Sequence, residues 1–199
     1  MKDYAIHYSY KGIGDVLIII FDNQKEVTKH IRKGRVEVIY NNEDIIGYNI
    51  FDVKDIIKIK NEGKIFLPSM MLISVINTIL KNEGLEELEE MKHSGFYTAS
   101  IVDAIPLDEE KCFVTASLGD EYVSGIVKDI NLIANEIIVV AKVGTRLANG
   151  EIVKEGNMDG TLLNGHICTC EELNEPGTGV LKLDNDVEIG RDFFYMEEK

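Results

Sequence analysis

The feature that most constrains the fold is a series of short strand-like runs in the second half of the chain. The runs are rich in β-branched residues and are separated by turn signals such as Gly119-Asp120, Asn149-Gly150 and Asn164-Gly165. Strands at this spacing, with no helical period between them, predict a closed or nearly closed barrel rather than a parallel βαβ sheet. The runs cover residues 96–105, 112–118, 122–127, 137–143 and 166–168.

Five principal strands in roughly one hundred residues match the size of an OB-fold barrel with a C-terminal extension. The stretch 160–173 is predicted to form one corner of that barrel. Its middle looks like a strand that is entered through the Asn164-Gly165 turn. Thr169 and Glu172 then have the spacing of a capping box, in which a Thr hydroxyl and a Glu carboxylate satisfy the free amides at a helix start.

The first half of the chain has a different pattern, because its strand-like runs are followed by one segment of helical period. Pro68-Ser69 opens that segment, and Gly84 stands where a C-terminal glycine belongs. Strands followed by a helix predict a small α+β domain. The predicted strands are residues 4–10, 16–21, 35–40 and 45–53, and the apolar helix positions are Leu72, Val75, Ile76, Ile79 and Leu80.

An acidic stretch, residues 85–92, separates the two patterns and reads as a short helix or a linker. We therefore predict two domains: an α+β N-terminal domain over residues 1–91, and an all-β OB-fold barrel with a C-terminal extension over residues 92–199.

The net charge of −14 is distributed unevenly. Residues 1–93 hold 13 basic and 15 acidic residues, a net of −2, whereas residues 94–199 hold 8 and 20, a net of −12. No apolar run approaches the ~20 residues of a membrane span, and the start of the chain has no signal-peptide layout. Three cysteines without framework spacing fit a reducing compartment, so we expect a cytoplasmic, acidic protein with no membrane partner.

Several ordered motifs resemble a known class of RNA-binding protein. Residues 96–183 resemble the tRNA-binding OB module shared by EMAP II-like proteins and the N-terminus of the bacterial phenylalanyl-tRNA synthetase β chain. The whole chain resembles the YtpR-type tRNA-binding proteins of Gram-positive bacteria. The residues that carry the resemblance are 11–17 (KGIGDVL), 47–51 (GYNIF), 139–144 (VVAKVG), Gly160, 165–169 (GHICT) and 172–173 (EL).

This resemblance implies a non-catalytic protein that binds tRNA or another structured RNA, needs no cofactor and forms a homodimer through the segment after the barrel. Residues 179–183 alternate as an edge strand should, and residues 193–195 form an apolar cluster. A partner subunit or the chain itself could cover that cluster.

The chain also departs from the family pattern. A usual Arg is Asp159, a usual Met is His166, and a frequent Lys is Glu171. A usual Gly-Ala-Pro-Asn loop is residues 128–131, which keep only Asn131, and a usual His-Pro is Ile105-Pro106. Two of these changes replace a cation by an anion. The alternative is therefore a degenerate OB-fold module that has lost RNA binding and acts in protein interaction or dimerisation.

The candidate RNA contacts are cations, which neutralise phosphates, and aromatic rings, which stack on bases. The four cations of the barrel, Lys128, Lys142, Arg146 and Lys154, could form one cluster on loops at one end, and Tyr97 and Tyr122 could stack a base. The alternative is that the cations are scattered solubilising charges and the tyrosines pack in the core or at its rim. The candidates are Lys128, Asn131, Lys142, Arg146, Lys154, Thr169, Tyr97 and Tyr122.

A second basic patch lies outside the barrel and contains one acid, Glu26, and one histidine, His30. It could supply further phosphate contacts. The alternative is a solvated hairpin edge, where charges discourage strand-to-strand aggregation. Its candidate residues are Lys25, Lys29, Arg32, Lys33 and Arg35.

His166, Cys168 and Cys170 are spaced two apart, which would put them on one face of a strand and suggests zinc ligands. A closed zinc site needs a fourth ligand, however, and Cys112 is the one remaining thiol. We predict buried small side chains with a satisfied histidine and no metal. The neighbouring Glu171 and Glu172 would raise a thiol pKa, which argues against a reactive cysteine.

The sequence has no catalytic signature. Gly12 and Gly14 precede an apolar strand rather than a helix start, so they do not form a phosphate-binding loop. The carboxylates fall in runs such as Glu86-Glu87 and Glu89-Glu90, which is typical of a solvated face. We therefore expect that the protein is not an enzyme.

Overall fold

The computed structural model describes residues 4–59 and 63–196. Contacts divide the chain into two compact units, Met1–Lys92 and His93–Lys199, which we call the N-terminal unit and the C-terminal unit. Both are rich in β-structure, as the sequence predicts. None of the helices in the described ranges has the length and apolar character needed to span a membrane.

The N-terminal unit is built on one antiparallel sheet of six strands, whose order is β3-β4-β5-β2-β1-β6. The predicted strands are present, and β3 and β6 are added at the two edges. The elements are β1 (Ala5–Tyr8), α1 (Tyr10–Ile13), β2 (Val16–Ile20), β3 (Lys29–Lys33), β4 (Val36–Asn41), β5 (Asp44–Phe51), β6 (Gly63–Ile65) and α2 (Met70–Asn82), with a 3-10 turn at Val53–Asp55.

One face of this sheet and helix α2 form the core of the unit. Val36 and Val38 of β4 are fully buried, because alternate residues of a strand point to the same face. Helix α2 contributes Ile76 and Leu80, which are buried at helical spacing. Other buried members are Ile6, Leu17, Ile19, Tyr48 and Ile50.

Both ends of α2 have the predicted caps. At the start, the Ser69 hydroxyl accepts a hydrogen bond from the Leu72 amide at 3.3 Å. At the end, Gly84 adopts a φ of +65°. The Gly84 amide donates to the Lys81 carbonyl and the Leu85 amide to the Leu80 carbonyl, which is the Schellman arrangement.

Residues 85–92 form no helix, so the first of the two alternatives for this stretch is not observed. The side chain of Asn77 holds it in place. Its amide nitrogen donates to the Leu88 carbonyl at 2.9 Å, and its amide oxygen accepts from the Leu88 amide at 2.7 Å. These bonds place the Leu88 side chain in the core.

The C-terminal unit is organised around a second antiparallel sheet, with strand order β13-β10-β7-β8-β9 and β14 beside β10. Strands β11 and β12 form a separate hairpin. The elements are β7 (Phe96–Pro106), β8 (Cys112–Ser117), β9 (Tyr122–Val127), β10 (Ile137–Lys142), β11 (Gly156–Met158), β12 (Thr161–Leu163), β13 (Gly165–Ile167), α3 (Cys170–Leu173), β14 (Lys182–Leu183) and α4 (Phe193–Met196).

The two outer strands of this sheet, β9 and β13, approach each other without forming a ladder in the described ranges. The Asn164 amide donates to the Ser124 carbonyl at 3.2 Å, and the Ser124 amide donates to the Asn164 side chain at 2.7 Å. Gly165 permits the approach, since a Cβ there would lie 2.2 Å from a methyl carbon of Val123. No ladder closes the sheet in the described ranges, so the predicted closed or nearly closed barrel is not confirmed.

The corner at residues 160–173 has the predicted capping box. The Glu172 amide donates to the Thr169 hydroxyl at 3.4 Å, and the Thr169 amide donates to the Glu172 carboxylate at 2.8 Å. Asn174 ends α3 in the left-handed conformation. The strand before the box ends at Ile167, which is fully buried in the core of the unit.

The segment after the corner packs on the same unit. Of the predicted edge strand 179–183, the pair Lys182–Leu183 joins β10, and Val180 bridges to Thr169. Phe193 is buried, and the ring of Phe194 packs edge-on against Phe96 at 5.4 Å. The chain itself therefore covers these two aromatic side chains.

Candidate nucleic-acid interface

Lys142, at the end of β10, is the best-defined candidate contact in the C-terminal unit. Its amino group lies 4.5 Å from the ring centroid of Tyr97 and also forms an ion pair with Glu121. Tyr97 is half-buried, and burial is the main cause that raises the pKa of its hydroxyl. Tyr97 thus supports Lys142, while Glu121 neutralises the charge that a phosphate would need.

Tyr122 and Arg146 lie at the same end of the sheet. Tyr122 follows Glu121 directly, and 59% of it is exposed, so its ring is free to stack. The Thr145 amide donates to the Lys142 carbonyl at 3.0 Å. This bond forms a turn directly after β10, so Arg146 stays near the end of that strand. Arg146 is half-buried, and its guanidinium donates to the Gly150 carbonyl.

Lys154 belongs to this end too, whereas Lys128 does not. The Val153 amide donates to the Thr145 carbonyl, so the exposed Lys154 comes just after a residue that is held beside the β10 end. Glu121 precedes β9 and Lys128 follows it, so the length of a six-residue strand, about 20 Å, separates their positions.

Asn131 lies with Lys128 at the opposite end. Its carbonyl accepts a hydrogen bond from the amino group of Lys182, which sits on β14 beside the start of β10. The predicted single cluster of four cations is therefore corrected: three of them gather at the end of β10, and Lys128 lies apart. Loop residues carry no strand period, so sequence spacing could not assign them to an end.

Thr169 has a structural role in the corner. Its hydroxyl lies 2.9 Å from the Glu172 carboxylate, and that carboxylate also bonds to the His166 ring at 2.8 Å. Burial, the largest single influence, raises the pKa of Glu172, but the bonds from His166 and Thr169 together bring that pKa below its ordinary value. His166 is therefore satisfied, as predicted.

Cys168 and Cys170 are buried, again as predicted. Burial raises the pKa of Cys168 well above its ordinary value, and Glu172 adds to the effect. The expectation of one common strand face is wrong, because the strand ends at Ile167 and Cys170 begins α3. In the described ranges, no group of three or more His, Cys, Asp or Glu side chains could hold a metal ion.

Three residues of the basic patch, Lys29, Arg32 and Lys33, lie on β3, which is an edge strand as the alternative of a hairpin edge requires. Lys25 precedes this strand and Arg35 follows it. Lys25 forms an ion pair with Asp44 at 3.0 Å. Arg35 donates to the Asp52 carbonyl at 2.9 Å. Among the described residues, Lys29, Arg32 and Lys33 form no ion pair. The sequence showed the run of cations but not which of them are free.

Comparison with known proteins found one family model and two relatives. A domain of unknown function (DUF4479) matches residues 22–91, within the N-terminal unit. YtpR of Bacillus subtilis (strain 168), whose name describes it as a tRNA-binding protein, is 29% identical over 196 residues. That match covers 94% of this chain and 97% of YtpR.

The β subunit of the phenylalanine–tRNA ligase from Blochmanniella floridana is 31% identical over 125 residues, which is 56% of this chain and 15% of that subunit. The resemblance predicted from the sequence is thus confirmed by one relative that aligns almost end to end and a second that shares part of the chain. The chain is a divergent relative of the YtpR-type proteins.

Proposed function

We propose that this protein is a non-catalytic binder of tRNA or another structured RNA. The single observation that carries the proposal is the nearly end-to-end similarity to a protein named for tRNA binding. The C-terminal unit supplies the fold for it: the close approach of β9 and β13 supports an OB-type barrel that is nearly closed. We also propose that the two units are the two domains expected from the sequence.

The RNA contacts of the C-terminal unit would lie at the end of β10. Lys142, Arg146 and Lys154 bring positive charge there, which phosphates require. The exposed ring of Tyr122 offers a surface on which a base can stack, and Tyr97 supports Lys142 from below. Glu121 must release Lys142 when a phosphate arrives. Lys128 and Asn131 would form a separate contact at the other end.

The proposal is tested by titrating bulk tRNA against the full chain at low and at moderate salt, with fluorescence anisotropy as the measurement. We expect roughly micromolar or tighter binding at low salt that weakens steeply as salt rises, because the contacts are to phosphates. Absence of binding at low salt would overturn the proposal and favour the degenerate module that acts in protein interaction.

Two sets of variants distinguish the ends of the sheet. Lys142→Glu combined with Arg146→Glu should weaken tRNA binding by roughly tenfold or more, because it reverses charge where rings and cations meet. Lys128→Glu alone serves as the control and should change affinity by less than about threefold, because it removes one isolated charge. A larger loss of affinity in Lys128→Glu than in the double variant would indicate that RNA contacts the C-terminal unit at the Lys128 end instead.

We further propose that the chain is a homodimer. Tyr195 is 67% exposed although its neighbours Phe193 and Phe194 are covered, so its ring is accessible for a contact with a second copy. Light scattering should give twice the chain mass of 22.4 kDa. The mass of a single chain at micromolar concentration would contradict a dimer.

A further inference from the structure

Arg32 is held both by an aromatic ring and by a backbone carbonyl. It lies on β3, and its guanidinium carbon is 3.8 Å from the centroid of the Phe51 ring. Its Nε donates a hydrogen bond to the Gly34 carbonyl at 2.7 Å. A ring below and a carbonyl at one edge hold the guanidinium in one orientation, so less entropy is lost when it binds a ligand.

The outer edge of this guanidinium is available. Arginine carries five N–H donors in a planar fork, and the Gly34 bond uses the one on Nε. In register, Glu37 lies opposite Arg32, yet its two carboxylate oxygens bond to His30 at 3.1 Å and to Asn49 at 3.0 Å. Arg32 therefore has no carboxylate partner among the described residues.

Two lysines flank Arg32 on the same strand. Lys29 and Lys33 are four residues apart, about 13 Å along a strand, and neither forms an ion pair in the described part of the chain. One carboxylate, that of Glu83, lies near the following turn, where a Cβ on Gly34 would overlap it. The strand is at the edge of the sheet, so a ligand can approach its open side.

Charges that only discourage edge-to-edge pairing do not require this arrangement. Solvated lysines suffice for that purpose, and they need neither an aromatic support nor a fixed orientation. A guanidinium that is stacked on a ring and held by a carbonyl is instead the arrangement that recognises phosphate, because the two outer nitrogens match two phosphate oxygens.

We propose that Arg32 is a phosphate-binding residue that anchors an RNA backbone on the β3 edge, while Lys29 and Lys33, which alternate with Arg32 along the strand and project to the other face, add positive charge at the same edge. The inference rests on the proposed function and assigns part of RNA binding to the N-terminal unit. The ligand group is the phosphodiester of a structured RNA. The base sequence is not read at this site, because contacts to phosphates carry no sequence information.

The test uses the full chain and bulk tRNA. Arg32→Gln removes the charge and the fork, so affinity should fall about tenfold and the salt slope should decrease by about 0.7, which corresponds to one contact. Arg32→Lys keeps the charge but loses the fork and the stacking. It should weaken binding about fivefold, because a point charge does not reproduce a bidentate contact, and leave the salt slope unchanged.

Lys33→Arg is the matched control, because it replaces lysine by arginine on the strand where Arg32→Lys does the reverse. It should leave tRNA affinity within about twofold. Circular dichroism verifies that each variant is folded. Unchanged affinity and salt slope in Arg32→Gln, with a wild type that binds tRNA, would overturn this inference and leave the proposed function intact. A wild type that does not bind tRNA would overturn the proposed function itself.

Discussion

The cations of the two units have different partners. In the C-terminal unit, Lys142, Lys182 and Arg191 each form an ion pair, with Glu121, Glu136 and Glu188 respectively. On β3 of the N-terminal unit, Lys29, Arg32 and Lys33 have no carboxylate partner among the described residues. Three cations of the C-terminal unit are therefore neutralised by carboxylates, whereas the three cations of β3 are not neutralised by any carboxylate in the described ranges.

The net charge of a unit therefore differs from the number of its cations that have no carboxylate neighbour. The sequence halves differ by ten charges, −2 against −12. At close range, however, a phosphate is attracted most strongly by cations that have no carboxylate neighbour, because an adjacent opposite charge offsets their field. In the C-terminal unit, charged groups mainly hold the chain to itself, as Lys182 does through Asn131 and Glu136. Changes to charge should therefore affect tRNA binding more strongly on β3 of the N-terminal unit than in the C-terminal unit, where they also affect stability.

The largest effect is expected from reversing the three free cations of β3. A variant with Lys29→Glu, Arg32→Glu and Lys33→Glu should lose tRNA binding by about 100-fold or more at low salt, since three phosphate contacts become repulsive. Its free energy of unfolding should fall by about 1–2 kcal/mol, because the ring contacts of Arg32 and Lys29 and the Arg32–Gly34 hydrogen bond are lost while no ion pair is broken. Anisotropy and thermal unfolding measure the two quantities.

The matched control reverses three cations that already have acidic partners: Lys25, Lys81 and Arg191. It changes the net charge by the same amount, so it tests whether position matters. We expect affinity to fall by less than about fivefold, because these charges are neutralised in the free protein. Equal losses in both triple variants would mean that only the total charge counts.

In the C-terminal unit the corresponding test is the capping box. Thr169→Ala removes the hydroxyl that caps α3 and should lower the free energy of unfolding by about 1 kcal/mol. tRNA affinity should stay within twofold, in contrast to the β3 variant, because the hydroxyl is already bonded to Glu172. A loss of affinity without a loss of stability would restore the predicted RNA contact at Thr169.

The same corner predicts a pH dependence. Because folding lowers the pKa of Glu172, its carboxylate contributes stability above the ordinary value of 4.5, and this contribution is lost as pH falls through the lowered pKa of the folded state. Glu172→Gln should therefore reduce stability at pH 7 and converge on the wild type in acid. A constant difference at all pH values would contradict the charge of Glu172 as the cause.

The smallest effect is expected from releasing Lys142. Glu121→Gln removes the carboxylate that pairs with it, so tRNA should bind about two- to fivefold more tightly at low salt, with one more cation available. Glu151→Gln, at an exposed acid of the nearby loop, controls for the change in net charge. Equal gains in both variants would show that Lys142 is not a specific contact.

The local elements of the fold could be predicted from the sequence. Helix α2 and its caps follow from apolar spacing, Ser69 and Gly84, and the capping box follows from Thr169 and Glu172. All of these involve residues that are within a few positions of one another. The hairpin of β11 and β12 was missed, although Asp159-Gly160 is a strong hairpin signal and both residues adopt positive φ.

The candidate site could be predicted only in part. Residue type identified the cations and tyrosines, but not which carboxylate each cation meets. Glu121 and Lys142 are 21 positions apart and pair because β9 and β10 bring them to one end of a sheet. Arg32 and Phe51 are 19 positions apart and meet because β3, β4 and β5 are adjacent.

The sequence by itself determined the family, the order of the strands and helices along the chain, and the uneven distribution of charge, because each of these is a property of residues in order. The tertiary structure decided whether the sheet closes, which cations gather at one end, and which of them remain free. Those outcomes depend on contacts between residues distant in sequence, and the electrostatic effect of a charge is set by its nearest neighbours in space.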